Sequence, residues 1–543
     1  MADVTADLDT RCGELYPPGD EILPCGEAGC DGAAEGQCDS APELRDSAWE
    51  AGFGPSREQF ESLVGFLDGT DAAGLAHGEL EERIDRDGRE LLRCLLDDHL
   101  ALRAIREQRV EQVVGDDEVT RGRVEEGHRR GLGTVFGEVS VSRLAYRAPG
   151  RANLHPADAG LNLPVEHHSH GLRRLAGVEA GRGGFQEAVW AIERACGQRL
   201  GKRQVQELAQ LAAVDFEGFY EARKAPPGDP EDLLVISADG KGIVMRPDAL
   251  RPKSAAAAAR AGPQPKTRLC GEKKRGRKRM AELGAVYDAT PVPRTAADIL
   301  SRGQDAEREP TPGPVAKSKW LCASIVKDAA VVIEQVLDEA ERRDPEHHRT
   351  WVALVDGNNH QIQRIKAGAK ARKVKVTIIL DFVHVLEYLW NAAWCFYPER
   401  DPAAEQWVHH HATQILEGHA KKVAGAIRRK AAKARLDPAQ RKNADDAANY
   451  LTSKARYLDY PTALKQGWPI ATGIIEGACR HIVKDRMDIT GARWGLTGAE
   501  AVLKLRALRA NGDFDAYWRY HLDQERHHVH EARYLNHAIP QAT

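Results

Sequence analysis

Three aspartates each follow a run of apolar residues, and a fourth acid lies further along the chain. "LLVISADG" contains Asp239, "TWVALVDG" contains Asp356, "VTIILDF" contains Asp381, and Glu476 lies in "ATGIIEGACRHIVKDRM". Carboxylates that converge from distant positions repel one another unless a cation lies between them, and hard oxygen ligands suit Mg²⁺ or Mn²⁺. Two such ions, about 3.5–4 Å apart, catalyse phosphoryl transfer in many enzymes. The pattern therefore predicts a site for two Mg²⁺ (or Mn²⁺) ions.

Each of these acids also has a purely structural interpretation. Asp239 and Asp356 precede glycine, and Asp-Gly is a common turn dipeptide. Asp381 is equally well explained as the N-cap of a helix that begins "FVHVLEYL". Glu476 suits the first turn of a helix, where the helix dipole favours a negative charge. The spacing alone leaves a nuclease, a polymerase and a strand transferase open.

The elements around these acids alternate from residue 232 onward in the order β-β-β-α-β-α-β-α. The first three predicted strands are "LLVISAD", "GIVMRP" and "MAELGAVYDATP", and a long helix is predicted over "KWLCASIVKDAAVVIEQVLDEAERR". Two strands that end at Asp356 and Asp381 follow, each with its helix. Ligands of open α/β sheets bind at the carboxyl ends of the strands, so these acids can converge. Residues 385–470 and 472–510 are predicted to be helical.

The preceding residues are predicted to be mainly helical. Apolar residues at 3–4 spacing predict helices over 55–115. In "TVFGEVSVSRLAYRA", residues 134–148, the period-2 phase slips between Val141 and Leu144, which predicts a short β-hairpin. Residues 183–214 predict two helices with a glycine-containing turn. They form either a DNA-reading helix-turn-helix or an ordinary helical hairpin, and the spacing favours the hairpin.

Charge is strongly segregated along the chain although the net charge is only −4. Residues 1–50 hold thirteen Asp and Glu against two Arg, which predicts an acidic, disordered leader. Residues 266–280 hold eight Lys and Arg against one Glu, and residues 421–442 hold nine against one Asp. Such blocks suit phosphate contact, although a lone block is often only a solvated face. Contacts to the DNA backbone are predicted for six residues of a basic, low-complexity insertion over 247–279: Lys273, Lys274, Arg275, Arg277, Lys278 and Arg279.

Length and cysteine content bound the remaining possibilities. A chain of 543 residues is expected to form two to four domains. No apolar stretch of about 18 residues and no signal-peptide pattern occurs, which predicts a cytoplasmic, nucleoid-associated protein without a membrane partner. Four of the ten cysteines cluster near the N-terminus without C-x₂-C spacing: Cys12, Cys25, Cys30 and Cys38. A small zinc-binding element remains an alternative to the disordered leader there.

Four phrases resemble the DDE transposases of bacterial insertion sequences, specifically the ISKra group. They are "ISADGKGIVMR", "WVALVDGNNHQIQRI", "ILDFVHVLEYLWNAAW" and "TGIIEGACRHIVKDRM". The resemblance covers roughly residues 50–535 and is most specific over 233–512. It implies an α/β ribonuclease H-like catalytic domain with an all-helical insertion, preceded by a mainly helical region with a β-hairpin. The implied bounds are 51–225 for the N-terminal region, 231–384 and 471–535 for the catalytic domain, and 385–470 for the insertion.

The resemblance also assigns roles to particular residues. It implies that Asp239, Asp356 and Glu476, which lie 117 and 120 residues apart, are the catalytic acids and the metal ligands. Asp381 with His384 resembles the Cys/Asp-x-x-His motif of the broader Mutator-like transposases, a supporting pair near the active site. In "GARWGLTGAEAVLKLRAL", Trp494 is expected beside the catalytic helix with Arg493 facing DNA, and both are assigned to DNA binding.

The function implied is cleavage of DNA at transposon ends and strand transfer into target DNA. The implied partners are the terminal inverted repeats, the target DNA and further copies of the chain assembled on DNA. Two alternatives stay open. One is a non-catalytic DNA-binding regulator that uses the helix-turn-helix candidate and the basic segments, and the other is a structure-selective nuclease on the same fold.

Overall fold

The computed structural model describes residues 52–225, 228–260, 277–300, 309–489 and 491–542. The predicted acidic leader, with its four cysteines, lies outside these residues. So do Lys273, Lys274 and Arg275 of the predicted DNA-contacting segment.

The first described residues form two helices and a β-hairpin, as predicted. These are α1 (Gly54–Asp68), α2 (His77–Ile105), β1 (Arg123–Thr134) and β2 (Gly137–Arg147), with short helices at Thr70–Ala73 and Pro156–Gly160. Leu100 of α2 packs against Val139 and Val141 of β2 in a small core. The predicted position of the hairpin turn is wrong, because the strands join at residues 135–136 and residues 139–146 lie on one strand. The phase slips because β2 contributes to two separate cores: Val139 and Val141 pack with Leu100, whereas Leu144 and Tyr146 pack in a second cluster with Val113.

Four helices connect the hairpin to the central sheet: α3 (His170–Arg182), α4 (Phe185–Cys196), α5 (Lys202–Leu211) and α6 (Phe216–Ala222). The predicted helix pair is confirmed as α4 and α5. Gly197 ends α4 in the left-handed conformation, with φ of 75°, which glycine adopts without a steric penalty. Ile192, Val205 and Leu208 are buried in the main core, so the apolar faces of this pair serve packing. A DNA-reading role for the pair stays a prediction.

A five-stranded sheet forms the centre of the molecule, with strand order β5-β4-β3-β6-β7. Its strands are β3 (Leu233–Val244), β4 (Lys278–Ala289), β5 (Ala316–Ser324), β6 (Trp351–Val355) and β7 (Val376–Leu380). β4 runs antiparallel to both of its neighbours, whereas β3, β6 and β7 are mutually parallel. All five residues of β6 are buried, as expected of a parallel strand covered on both faces. The prediction of an α/β domain is confirmed at this level.

Three predictions for this region are wrong in detail. β3 continues through Asp239 to Val244 as one strand, because its ladder with β4 is unbroken from Leu233–Ala289 to Val244–Lys278 and outweighs the turn tendency of Asp-Gly. "KWLCAS" lies in β5 rather than in a helix, and α8 (Ala329–Arg343) begins only after Asp328, whose side chain accepts the Val331 N–H at 3.1 Å. The insertion predicted over 247–279 ends before β4, which includes Lys278 and Arg279.

Helices cover the sheet and form the predicted helical insertion. Helix α8 packs on β3 and β4 and against α9 (Asn359–Ala371). This part of the chain also forms α7 (Pro252–Arg260), α10 (Phe382–Ala393) and a short helix at Ala296–Leu300. The helical prediction for 385–470 is confirmed by α11 (Pro402–Leu416), α12 (Ala420–Lys433), α13 (Lys442–Ser453) and α14 (Tyr460–Lys465). The chain then forms α15 (Gly473–Ala478), a π-helix (Cys479–Lys484), a short helix at Asp485–Met487, α16 (Leu496–Ala510) and α17 (Phe514–Glu525). Among the described residues, no helix is both long enough and apolar enough to cross a membrane.

Candidate metal centre

Three of the four predicted acids lie at one level of adjacent parallel strands. Ser237 of β3 pairs with Leu354 of β6, which pairs in turn with Ile379 of β7. Asp239, Asp356 and Asp381 each lie two residues further along the chain than these paired residues. Asp239 is still within β3, whereas Asp356 and Asp381 directly follow β6 and β7. The backbone N–H of Asp381 also donates to the Val355 carbonyl at 2.9 Å. Strand register therefore brings together three acids that are far apart in the sequence.

Asp239 lies within β3, on the ladder with β4, and its side chain is partly buried. One carboxylate oxygen accepts the Gly240 N–H at 2.7 Å, and the other accepts the thiol of Cys479 at 3.2 Å. Cys479 directly follows α15, the helix that carries Glu476. This contact joins the first predicted acid to the segment that bears the last.

Asp356 directly follows β6, as predicted, and Oδ1 of its side chain accepts the Asn358 N–H at 2.8 Å. Its backbone carbonyl accepts the hydroxyl of Tyr450 at 2.9 Å, so helix α13 of the insertion reaches the end of β6. Gly357 has φ of 99°, and a Cβ there would lie 2.9 Å from the Tyr450 hydroxyl. Glycine is therefore required beside Asp356 both by the backbone conformation and by the closeness of this tyrosine.

Asp381 is fully buried, and it both caps a helix and accepts hydrogen bonds from two other side chains. It is the N-cap of α10, accepting the Val383 N–H at 3.0 Å, which confirms the capping interpretation. Its other oxygen accepts the His384 Nδ1–H at 3.1 Å and the Thr472 hydroxyl at 2.7 Å. Capping and site membership are thus compatible, because one carboxylate oxygen accepts the cap N–H while the other accepts His384 and the Thr472 hydroxyl.

Glu476 approaches Asp381 and His384. One potential ligand atom from each of Asp381, His384 and Glu476 lies within 4.8 Å of the others. We call these three residues the metal trio. The Thr472 hydroxyl is 2.7 Å from Asp381 and 3.0 Å from Glu476, although it has a single hydrogen to donate. Two carboxylates thus share one donor, an arrangement that a cation between them would stabilise.

The electrostatics of the metal trio reflect this crowding. Burial raises the pKa of Glu476, and the negative charge of Asp381 raises it further. The pKa of His384 is raised to about 9, first by its hydrogen bond to Asp381 and also by the charges of Asp381 and Asp356, against the effect of burial. Burial alone would raise the pKa of Asp381, but the hydrogen bonds from His384 and Thr472 hold it below its ordinary value.

Asp239 and Asp356 line a neighbouring cleft of about 530 Å³, which we call the carboxylate cleft. Glu282, Asp328 and Arg251 also line it. Burial raises the pKa of Glu282, and the charges of Asp239 and Asp328 raise it further while Arg251 opposes them. The predicted acids therefore lie in two adjoining groups, Asp239 with Asp356 and Glu476 with Asp381. Asp356 connects these groups electrostatically through His384.

The chain matches no protein-family model, and no curated protein gives a significant match to it.

The donor set of the metal trio fits a divalent cation. Carboxylate oxygens suit Mg²⁺ and Mn²⁺, and an imidazole nitrogen adds a ligand that suits transition metals better than Mg²⁺. Asp381, His384 and Glu476 would hold such an ion, with Thr472 orienting both carboxylates. The sequence had placed Asp381 and His384 beside the ligand set, whereas the structure places both in the trio.

The predicted DNA-contacting residues have different surroundings. Arg279 donates to the Ile325 carbonyl at 2.7 Å, so its guanidinium is engaged within the fold, whereas Arg277 and Lys278 are exposed. Arg493 is exposed, and its contact with DNA stays a prediction. Trp494 is only 5% exposed, and its indole N–H donates to the Met487 carbonyl at 3.0 Å. The assignment of Trp494 to DNA contact is therefore corrected to a packing role, with its ring beside Phe185 and Arg486.

Three residues of the site were missed from the sequence: Thr472, Cys479 and Tyr450. Thr472 and Cys479 lie four residues before and three residues after Glu476, and these spacings place side chains near one another on a helix. Their positions near Glu476 could therefore have been predicted from the sequence. Tyr450 lies in the helical insertion, 94 residues from Asp356, and no local pattern indicates their contact.

Proposed function

We propose that this protein is a DDE-type DNA transposase that cleaves transposon ends and joins them to target DNA by metal-dependent phosphoryl transfer. The observation that carries the proposal is the register that places Asp239, Asp356 and Asp381 at one level of three parallel strands. Glu476 is brought to the same place from a helix more than 90 residues further along the chain. Four carboxylates concentrated near the carboxyl ends of the parallel strands favour phosphoryl transfer over a purely structural role.

The sheet supports a ribonuclease H-like fold for the catalytic domain. The strands and the helices that follow them succeed one another along the chain as β3, β4, β5, α8, β6, α9, β7 and α10, and this succession is the β-β-β-α-β-α-β-α order expected of such a fold. The helices α11–α14 stand between the strand that precedes Asp381 and the helix of Glu476, where the resemblance expects the insertion.

Within this proposal the residues divide the work between two cation positions. Asp239 and Asp356 would hold one ion at the carboxylate cleft, and the metal trio would hold the other. When bound, Mg²⁺ or Mn²⁺ supplies Lewis-acid catalysis of phosphoryl transfer. Thr472, Cys479 and Tyr450 position the ligands through hydrogen bonds. No covalent enzyme intermediate is required, because water and then the freed 3′-hydroxyl act as nucleophiles.

Two alternatives differ from this proposal, one in the residues that act and the other in the products. A DNA-binding regulator would rely on α4, α5 and the basic residues, and would leave the convergence of acids unexplained. A structure-selective nuclease would use the same acids but would release cut DNA without joining it.

The test is a plasmid that carries the gene with the genomic DNA on either side, incubated with the purified protein and Mn²⁺. We expect cuts at defined positions flanking the gene and joined products detectable by sequencing. Asp356→Asn, which removes one negative charge at nearly constant volume, should abolish both products and leave DNA binding nearly intact.

The outcomes separate the three functions. Cuts without joined products would indicate the nuclease. Absence of cutting by the wild-type protein, with DNA binding retained, would favour the regulator. Loss of binding and cutting together in Asp356→Asn would also count against the transposase, since that residue is proposed to act in chemistry rather than in binding.

A further inference from the structure

A second cleft, of about 640 Å³, opens beside the π-helix that follows Glu476. Five basic residues line it: Arg182, Lys319, His481, Arg506 and Arg509. We call it the basic cleft. Its walls come from the C-terminal end of α3, the edge strand β5, the π-helix and α16, so four separate elements contribute a basic side chain.

Much of this positive charge has no acidic partner. Arg182 pairs with Glu179 at 3.0 Å, and His481 lies 3.6 Å from Asp485. Lys319 and Arg509 are exposed, and neither forms an ion pair with a side chain in the part of the chain that the structure describes. Cations that share a concave surface without counter-charges attract anions, because field lines concentrate in a cleft with low-dielectric walls.

Arg506 holds the walls of the cleft in place. Its guanidinium donates to the carbonyls of Ile482, at 2.9 Å, and of Gly181 and His481. It thereby ties the π-helix and the end of α3 to α16. Burial lowers the pKa of Arg506, and neighbouring Arg509 lowers it further while Asp485 opposes this. Like charges are thus held close together on a braced frame, and an anion in the cleft would relieve their repulsion.

The basic cleft is separate from the carboxylates. Ala478 lines the cleft and stands two residues after Glu476. Residues two apart on a helix point about 200° away from each other, so the cleft opens on the side of this helix away from the Glu476 side chain. The π-helix that continues the segment is a geometry often found at functional sites.

We propose that the basic cleft binds the phosphodiester backbone of DNA away from the reacting phosphate. This inference rests on the proposed function for the identity of the polyanion. Lys319 and Arg509 stand on different elements, so they can contact successive phosphates of one strand rather than chelate a single ion. Neither Lys319 nor Arg509 is fixed by an ion pair within the described residues in an orientation that could read base edges. Their contact with DNA is therefore expected to be independent of base sequence.

The experiment measures binding of a short fluorescein-labelled random-sequence duplex by anisotropy, in EDTA, over a series of salt concentrations. The variant is Lys319→Ala/Arg509→Ala. A charge-retaining partner, Lys319→Arg/Arg509→Lys, tests whether positive charge rather than side-chain identity matters. The matched control is Lys370→Ala/Lys375→Ala, which removes two exposed lysines at the end of α9 and the start of β7, the far ends of these elements from Asp356 and Asp381.

We expect the double alanine variant to bind more weakly and to have a shallower slope of log affinity against log salt. Each lost phosphate contact changes that slope by about 0.9, so the loss of both contacts should change it by about 1.8. The charge-retaining variant should keep the wild-type slope, and so should the control. Unchanged affinity and slope in the double alanine variant, or equal loss in the control, would overturn the cleft assignment.

Failure of this inference differs from failure of the proposed function. Equal affinity for DNA in the wild-type protein and in the double alanine variant would refute the cleft assignment alone. Wild-type protein without any affinity for DNA would refute both. The double alanine variant should also bind Mn²⁺ as the wild type does, since neither residue contacts the metal trio, and loss of Mn²⁺ binding would show that the substitutions disturb the fold.

Discussion

The hydroxyl of Tyr450 donates a 2.9 Å hydrogen bond to the backbone carbonyl of Asp356. Tyr450 belongs to α13 in the helical insertion, and its ring stacks on Tyr388 of α10 with centroids 4.2 Å apart. The insertion is therefore more than an appendage of the sheet. It contacts the chain at Asp356, where β6 has just ended. The stacking of the Tyr450 ring on Tyr388 fixes the direction of the Tyr450 hydroxyl.

Tyr450→Phe should raise the Mn²⁺ concentration needed for half-maximal plasmid cleavage. The substitution removes one hydrogen bond of about 0.5–1.5 kcal/mol and keeps the aromatic stack, so the expected change is roughly 2- to 10-fold. The position of Asp356 should become less defined, while cleavage at saturating Mn²⁺ should fall less.

Tyr397→Phe is the matched control, because its hydroxyl contacts Lys430 at 3.0 Å within the same helical region and away from Asp356. A metal requirement unchanged in Tyr450→Phe, or raised equally in both variants, would show that the hydrogen bond does not position the acid.

Two histidines, the partly buried His155 and the buried His530, should make the protein less stable in mild acid. Burial lowers the pKa of His155 to about 4, with further lowering by Arg143 and His128. Burial likewise lowers the pKa of His530 to about 4, with a contribution from Arg533. In the unfolded chain these two histidines take up protons near pH 6.5, whereas in the folded chain they do so only near pH 4. The contribution of each histidine to the free energy of unfolding is therefore complete above about pH 6.5 and is lost as the pH falls towards 4.

Urea unfolding across this pH window measures the effect. The double variant His155→Gln/His530→Gln should lose less stability between about pH 6.5 and 4 than the wild type, even if it is less stable at neutral pH. His77→Gln, an exposed histidine with a side chain 86% accessible, is the control and should follow the wild-type curve. Parallel curves for all three proteins would exclude these histidines as the source of the acid sensitivity.

Local patterns were sufficient for the parts of the site that local structure builds. Asp356 and Asp381 follow short apolar runs because all of β6 and the last three residues of β7 are buried in a parallel sheet, and such runs are readable without a partner. The course of β3 beyond Asp239 was not readable, because it depends on pairing with β4, which begins more than 30 residues after β3 ends. The burial of Trp494 depends on Phe185, some 300 residues earlier, and no spacing rule reaches that far.

The membership of the metal trio depends on a similar long-range contact. Asp381 and His384 are one helical turn apart, and their pairing was predicted, but Glu476 could be assigned only through the resemblance, which grouped it with Asp239 and Asp356. The structure places it against Asp381 because Thr472 bonds to both carboxylates and the Phe382 N–H donates to the Ile470 carbonyl at 2.8 Å. These two contacts join residues 91 and 88 positions apart in the sequence, and they set which acids lie close enough to share an ion.

Thr472→Val should weaken Mn²⁺ binding without removing a ligand. The substitution keeps the shape of the side chain but deletes the hydroxyl that orients Asp381 and Glu476, and loss of such an outer contact typically costs 10- to 100-fold in metal affinity, so a fall of about that size is expected. Titration calorimetry with Mn²⁺ measures it directly. Thr452→Val is the control, since that hydroxyl bonds only to the Ala448 carbonyl of its own helix. Glu476→Gln, which removes a proposed ligand, should weaken binding at least as much as Thr472→Val. If Thr472→Val bound Mn²⁺ as tightly as the wild type while Glu476→Gln did not, the hydroxyl would be a packing group, and the sharing of one donor by two carboxylates would have no part in holding the ion.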